Sequence, residues 1–105
     1  MRTIEYEHNL GPGSIARVRF DKDAGEILEF LVQLECRFDD RWHPVIRYDT
    51  AHGFAHRDIL HPGGETTKEN LNISDYNESL TFAQKDIRAN WQFYRERYER
   101  WLKSQ

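Results

Sequence analysis

Between Ile27 and Phe38 apolar side chains recur at every second position. Leu28, Phe30, Val32, Leu34, Cys36 and Phe38 alternate with Glu29, Gln33, Glu35 and Arg37. A period of two belongs to a strand with one buried face, because successive side chains point to opposite sides; a 3.6-residue period would scatter the same six around a helix. The chain must therefore build a sheet with one apolar face, and some other element must cover that face. Cys36 falls in the apolar row and is expected to act as a small hydrophobe. As the single cysteine it has no internal disulfide partner, and no zinc-type spacing surrounds it.

The flanking segments extend the sheet. Thr3 to His8 alternates Ile4 and Tyr6 with acidic neighbours, as an edge strand does. Gly11-Pro12-Gly13 reads as a turn. Ser14 to Asp21 sets Ala16, Val18 and Phe20 against Arg17 and Arg19. Asp21 to Gly25 closes a hairpin, with Gly25 at the left-handed position. After the turn Asp39-Asp40-Arg41, Trp42 to Asp49 returns as a strand. Pro44 there lacks a donor N–H, so it belongs at the strand start or on an edge. Pro62-Gly63-Gly64 breaks the chain, and Thr66 to Ile73 is either a loop or one more short strand.

The cover comes from the C-terminus. Asp75 is placed to cap a helix, with Glu78 three residues on to complete a capping box. From Tyr76 to Lys103, at roughly 100° per residue, Tyr76, Leu80, Ala83, Ile87, Trp91, Tyr94, Tyr98 and Trp101 share one face. Phe82, Ala89 and Phe93 form a separate flank that needs its own cover: the N-terminal strand, the Thr66 to Ile73 segment, a second copy in a homodimer, or a partner protein. The expected fold is α+β, an antiparallel meander of four to five strands on one long C-terminal helix. Residues 1–105 form a single domain, mainly sheet over 1–73 and helix over 74–105.

Charge narrows the function. The net charge is −3, which disfavours a nucleic-acid binder that works by bulk attraction. Lys85 to the C-terminus holds six basic against three acidic residues, and the rest nine against fifteen. An acidic sheet with a mildly basic helix suits a specific partner or a small cleft. The longest nearly apolar run, Ile27 to Leu34, is interrupted by Glu29 and Gln33, so no membrane span is expected. The polar N-terminus does not resemble a signal peptide, which predicts a cytoplasmic protein.

The chemistry concentrates between Arg47 and Pro62, which holds three of the five histidines. As strand, turn and strand, Asp49 would end the incoming arm, Thr50 to Gly53 would turn, and Phe54 to Leu60 would pair back. Alternation puts His56 and Asp58 on one face with Arg57 and His61 on the other, and Arg47 on the same face as Asp49. A suitable register brings Arg47 and Asp49 beside His56 or Asp58. An imidazole, a carboxylate to orient it and a cation for phosphate suffice to cut RNA without a metal, because the 2′-hydroxyl is an internal nucleophile. Tyr48 can stack or donate, and His52 can be the second proton carrier. Structural duties compete for the same residues: an Asx bond from Asp49, a cross-strand pair of Arg47 with Asp58, a strand end at His61. His52, His56 and Asp58 form the set if the site binds metal instead, although two strand faces would have to converge. No serine or cysteine sits beside a base, so covalent catalysis has no support.

The run Arg47-Tyr48-Asp49-Thr50-Ala51-His52-Gly53, followed by His56-Arg57-Asp58, is similar to the Arg-Tyr-Asp-x-Ala-His-Gly…His core of the TumE-like toxins, covering Val45 to Leu60. Those are short prokaryotic sheet-plus-helix proteins encoded beside an antitoxin. A group of related domains of unknown activity carries the same core. The resemblance implies an endoribonuclease toxin, RNA and a cognate antitoxin as partners, and Tyr48, Asp49, His52 and His56 as the residues carried over. This chain departs from the family's dense histidine ending at His56-Arg57-Asp58. The full expectation is a metal-independent endoribonuclease without cofactor: His56 as acid or base with His52, Asp49 or Asp58 as orienter, Tyr48 nearby, and Arg47, or Arg57 with His61, on the substrate. The alternatives are an interaction module using Phe82 and Phe93, or a metal-binding domain.

Overall fold

The computed structural model describes all 105 residues. Six strands, β1 (Arg2–Gly11), β2 (Ser14–Asp23), β3 (Glu26–Phe38), β4 (Arg41–Asp49), β5 (His56–Leu60) and β6 (Thr66–Asn70), precede one helix, α1 (Tyr76–Lys103). A single 3₁₀ turn, Ala51–Gly53, joins β4 to β5. The strands form one antiparallel sheet in chain order, β1 to β6, with α1 across one face of β3 and β4. This is the expected α+β meander with one strand more. The addition is β6, whose Thr-Thr-Lys-Glu-Asn sequence carries no apolar row because it lies at the sheet edge, beyond the helix.

The β3 row behaves as the alternation requires except at one end. Phe30, Val32, Leu34, Cys36 and Phe38 are buried under α1, whereas Leu28 is exposed. The β2–β3 register slips there, from Asp21 opposite Glu29 to Lys22 opposite Ile27. The bulge leaves Leu28 unpaired and turns Ile27 toward the core instead. A second slip at Leu34/Glu35 accommodates Pro44. Pro44 lies where β5 has already ended, since β4 and β5 pair only from Ile46 to Asp49. The N–H that proline lacks therefore has no partner strand to miss.

The helix starts at its cap. Asp75 accepts from the N–H groups of Asn77 (2.8 Å) and Glu78 (3.4 Å). Glu78 is exposed and makes no return bond; the hydroxyl of buried Ser79 bonds back to the Ile73 and Asp75 carbonyls instead. Leu80, Ala83, Ile87, Tyr94 and Tyr98 are buried on the sheet, with Tyr76 and Trp91 packed beside them. Each buried large side chain in that stripe contributes on the order of 2 kcal/mol, which holds the helix in place better than its propensity does. Arg95 ties the middle of α1 to the β2 hairpin by donating to the Gly13 and Arg37 carbonyls (2.8 and 3.0 Å).

Neither intramolecular cover closes over the second flank. β1 is at the far edge of the sheet and β6 beyond the helix, so Phe82 and Phe93 stay 40% and 54% exposed.

Candidate functional site

The β4–β5 register settles which central residues meet. Asp49 lies opposite His56, Arg47 opposite Asp58, and Tyr48 opposite Arg57. β6 adds Lys68 opposite Asp58. Parity then divides the candidates between two faces. Asp49, His56, Asp58, Arg47 and Lys68 point away from α1, while Tyr48, Arg57 and His61 point toward it.

On the open face the His56 Nε2 lies 2.8 Å from an Asp49 carboxylate oxygen and 3.6 Å from one of Asp58. The Lys68 Nζ sits 3.0 Å from the same Asp58 oxygen and 3.4 Å from Nε2. The other ring nitrogen, Nδ1, faces the Phe54 carbonyl at 3.4 Å. His56 is nonetheless only 1% exposed. The turn folds back over it, with the Phe54 and His52 rings centred 5.4 and 6.0 Å from its own. His52 and Gly53 both have positive φ (72° and 83°), which reverses the chain tightly enough to lay this segment on the sheet. Asp49 also accepts from the Ala51 N–H (3.1 Å), the expected Asx bond, so one carboxylate shapes the turn and holds the imidazole.

Arg47 remains on this face but bonds to Gln33 (2.7 Å), and Asp58 pairs with Lys68 rather than with Arg47. The metal-ligating set expected from spacing also changes. Oxygen and nitrogen atoms of Asp49, His56 and Asp58 lie within 4.8 Å of one another, with the His52 ring tilted against that of His56, its centre 6.0 Å away, and not in the set. One face of a strand pair supplies all three, so no convergence of two faces is needed.

The other expected residues form a different cluster, between sheet and helix. Buried Tyr48 donates to the carboxylate of Asp86 on α1. Tyr94 donates to the same oxygen (2.7 Å), and Arg57 reaches it at 3.3 Å and Glu69 at 3.0 Å. Arg57 is thus committed to the sheet–helix joint and is not a free phosphate contact on the His56 face. His61 stacks on Trp101 (4.2 Å between ring centres) and donates to or accepts from Thr67, far from His56 along the sheet. Tyr48 likewise is an anchor, not a member of the imidazole cluster. The main surface concavities are lined by residues other than Asp49, His56 and Asp58.

Burial, and next the Asp86 carboxylate, push the Tyr48 hydroxyl well above the ordinary tyrosine range and raise that of Tyr94; burial also raises Tyr98. In the unfolded chain these phenols ionise near pH 10. Because the folded values are raised, the stabilisation is complete below pH 10 and declines as pH rises beyond it. Urea midpoints should therefore fall between pH 9 and 11, and the slope should be shallower in Tyr48→Phe.

The family model for DUF7718, a domain of unknown function, matches residues 1–104. The chain belongs to the DUF7718 family. No curated protein and no solved structure matches it. In this DUF7718 chain the motif-bearing strand pair lies within the match, so the buried Asp49–His56 pair is part of the family domain and not an appendage to it.

Two residues of these clusters, Lys68 on the open face and Asp86 on the helix side, carry no motif signal. Lys68 lies in a polar segment with no periodicity, and its nearness to His56 depends on β6 pairing with β5. Asp86 is an acidic residue on an otherwise ordinary helical turn. Only the parity of Tyr48 and Arg57, both on the helix side, hinted that something polar had to meet them there.

Proposed function

We propose that this protein is a metal-independent endoribonuclease of the toxin type, acting on RNA in the cytoplasm and held in check by a cognate antitoxin. The observation that carries the proposal is a pair of imidazoles, His52 and His56, centred 6.0 Å apart, one of them bonded to Asp49 at 2.8 Å. Two proton carriers must straddle a phosphodiester, one removing the 2′-hydroxyl proton and the other protonating the departing 5′-oxygen. The 2′-oxygen attacks phosphorus, the bond to the 5′-oxygen breaks, and a cyclic phosphate remains. Asp49 orients His56 through Nε2, leaving Nδ1 for the substrate. Lys68 and Arg47 are the cations on that face, and they replace Arg57 as phosphate contacts. Since His56 is covered, RNA binding has to lift the Ala51 to Phe54 segment and free Nδ1 from the Phe54 carbonyl. The Arg-Tyr-Asp-x-Ala-His-Gly…His similarity to TumE-like toxins supports the same assignment.

The test is cleavage of a mixed RNA substrate by the purified full chain, with and without EDTA. Cleavage that resists EDTA and is lost in His52→Ala and in His56→Ala is the expected result. Cleavage unaffected by both substitutions overturns the proposal.

A second role is supported by the uncovered flank of α1. Phe82, Ala89 and Phe93 are all exposed on it, with Phe82 edge-on to Tyr48 and Phe93 beside Arg97 and Tyr94, an apolar strip open to solvent. A protein contact there, with the antitoxin or a second copy, leaves the His56 face free. Phe82→Asp should abolish that association in sedimentation or size-exclusion measurements while leaving the far-UV circular dichroism unchanged.

A further inference from the structure

The Asp49–His56–Asp58 group has the make-up of a metal site whose cation position is taken by a lysine. We propose that these three residues bind one divalent ion of the zinc class, that the ion enters by displacing the Lys68 ammonium, and that its binding switches the site off. The last clause rests on the nuclease proposal; the binding itself does not.

The ligand spacing fits. Bonds of roughly 2.0–2.2 Å from zinc to imidazole nitrogen and carboxylate oxygen place tetrahedral ligand atoms roughly 3.4 Å apart. His56 Nε2 is 2.8 Å from Asp49 and 3.6 Å from Asp58, which brackets that value, and all three ligand atoms lie within 4.8 Å of one another. One nitrogen with two carboxylates suits zinc, cobalt or manganese better than magnesium, which prefers an octahedral set of oxygens and keeps its waters.

The orientation of His56 fits as well. A ligating histidine characteristically donates its other ring N–H to a backbone carbonyl or a carboxylate, which fixes the tautomer. Nδ1 of His56 faces the Phe54 carbonyl at 3.4 Å and leaves Nε2 for the cluster. Two aspartates at 18% and 9% side-chain exposure and an imidazole at 1% are an unusual load on a sheet face unless a cation accompanies them. Lys68 is that cation here, 3.0 Å from Asp58 and 3.4 Å from Nε2. Its side chain is 46% exposed on the edge strand, so it can swing into solvent and leave an opening at the point where the ion would enter.

Occupancy has a defined consequence for chemistry. With Nε2 bound to the ion, Nδ1 must carry the proton and bond to Phe54. It can then no longer accept a proton from a 2′-hydroxyl, and the Ala51 to Phe54 segment is pinned over the site. The ion is a brake on the acid–base pair, not a participant in it.

The experiment is a Co²⁺ titration of the purified full chain without RNA, followed by visible absorption, with Zn²⁺ as competitor. The wild type should bind one Co²⁺ with the intense ligand-field bands of a low-coordinate site, and Zn²⁺ should bleach them. Lys68→Met should bind at least about tenfold tighter, because no charged hydrogen bond is displaced. Asp58→Asn, which keeps the side-chain shape, should bind at least about 100-fold more weakly, and His61→Ala should match wild type. No Co²⁺ bands in either wild type or Lys68→Met, unchanged binding in Asp58→Asn, or no gain in Lys68→Met would each overturn the site. If cleavage fails altogether but these titrations succeed, the metal site stands and the nuclease proposal falls. If cleavage is present, one equivalent of Zn²⁺ should inhibit it and EDTA should restore it.

Discussion

Replacing Asp86 by alanine should destabilise the fold by about 3–5 kcal/mol, the cost of breaking a buried charged network from one side. The Asp86 carboxylate is 12% exposed and receives Tyr48, Tyr94 and Arg57 on one oxygen and Asn90 (2.8 Å) on the other. Removing it leaves two phenol hydroxyls without an acceptor and one guanidinium short of a carboxylate, under a helix that water enters with difficulty. The Arg57 Nε is already buried without a partner, so the guanidinium has little reserve of bonds to rearrange into. Asp86→Asn keeps an acceptor oxygen of similar shape but gives up the charge, and should cost about half as much. A variant lacking both partners, Asp86→Leu with Arg57→Met, should recover part of the loss, since an apolar pair of similar volume leaves no stranded charge. Urea unfolding followed by circular dichroism measures all three. A loss below about 1 kcal/mol for Asp86→Ala would mean that the sheet and helix are held by the apolar stripe alone.

That network shows where sequence and structure part company. Helix α1 was legible, its bounds included to within a residue or two, because Asp75 is a strong cap and the apolar stripe persists for the whole length. The alternation in β2 and β3 was legible for the same reason: burial on one face leaves a period-two record. The bulge at Leu28 left no such record, since the alternation runs straight through it and only the partner strand's register reveals the slip. β6 was ambiguous because an edge strand beyond the helix has no core to face. At the central stretch, parity put His56 with Asp58 and set Arg57 and His61 opposite them, as observed; that Asp49 meets His56 depended on a register that only the β4–β5 pairing fixes. In the sequence Tyr48 reads only as a group that can stack or donate; it faces the helix, and its partner Asp86 lies 38 residues away, a separation no local pattern bridges. Tyr48 therefore looked like chemistry and is architecture, and Lys68 looked like nothing and sits beside Asp58 and His56.

The two polar clusters share one strand pair and divide its labour. Tyr48 and Arg57, cross-strand neighbours, fasten β4 and β5 to α1 from one side. Asp49 and His56, the next pair along, occupy the other side, with Arg47 and Asp58 flanking. If His56 acts as proposed, rigid fastening beneath it would serve a positioned imidazole, because a displacement of an ångström can forfeit two orders of magnitude in rate. The long helix thus acts on the open face without touching it.

His56→Ala should lower RNA cleavage by about 10²–10⁴-fold, the range for loss of a positioned acid or base, with little change in substrate affinity. His56 is 1% exposed and bonded to Asp49, so the substitution also leaves two carboxylates around a small void. A stability loss of about 2 kcal/mol is expected with it, and the activity must be compared at a temperature where both proteins remain folded. His56→Gln separates the two effects. A glutamine amide can still donate to Asp49, so stability should return toward wild type, but it cannot exchange a proton near neutral pH, so activity should not. Asp49→Asn makes the complementary cut. It keeps the Asx geometry at Ala51 while offering His56 a poorer partner, and should reduce turnover about 100-fold with the turn intact. If His56→Gln instead cleaved RNA at the wild-type rate, the imidazole would be a structural plug under the Ala51 to Phe54 segment. The open face would then be left to its other charged groups, Arg47 and Lys68, as a surface that binds rather than cuts.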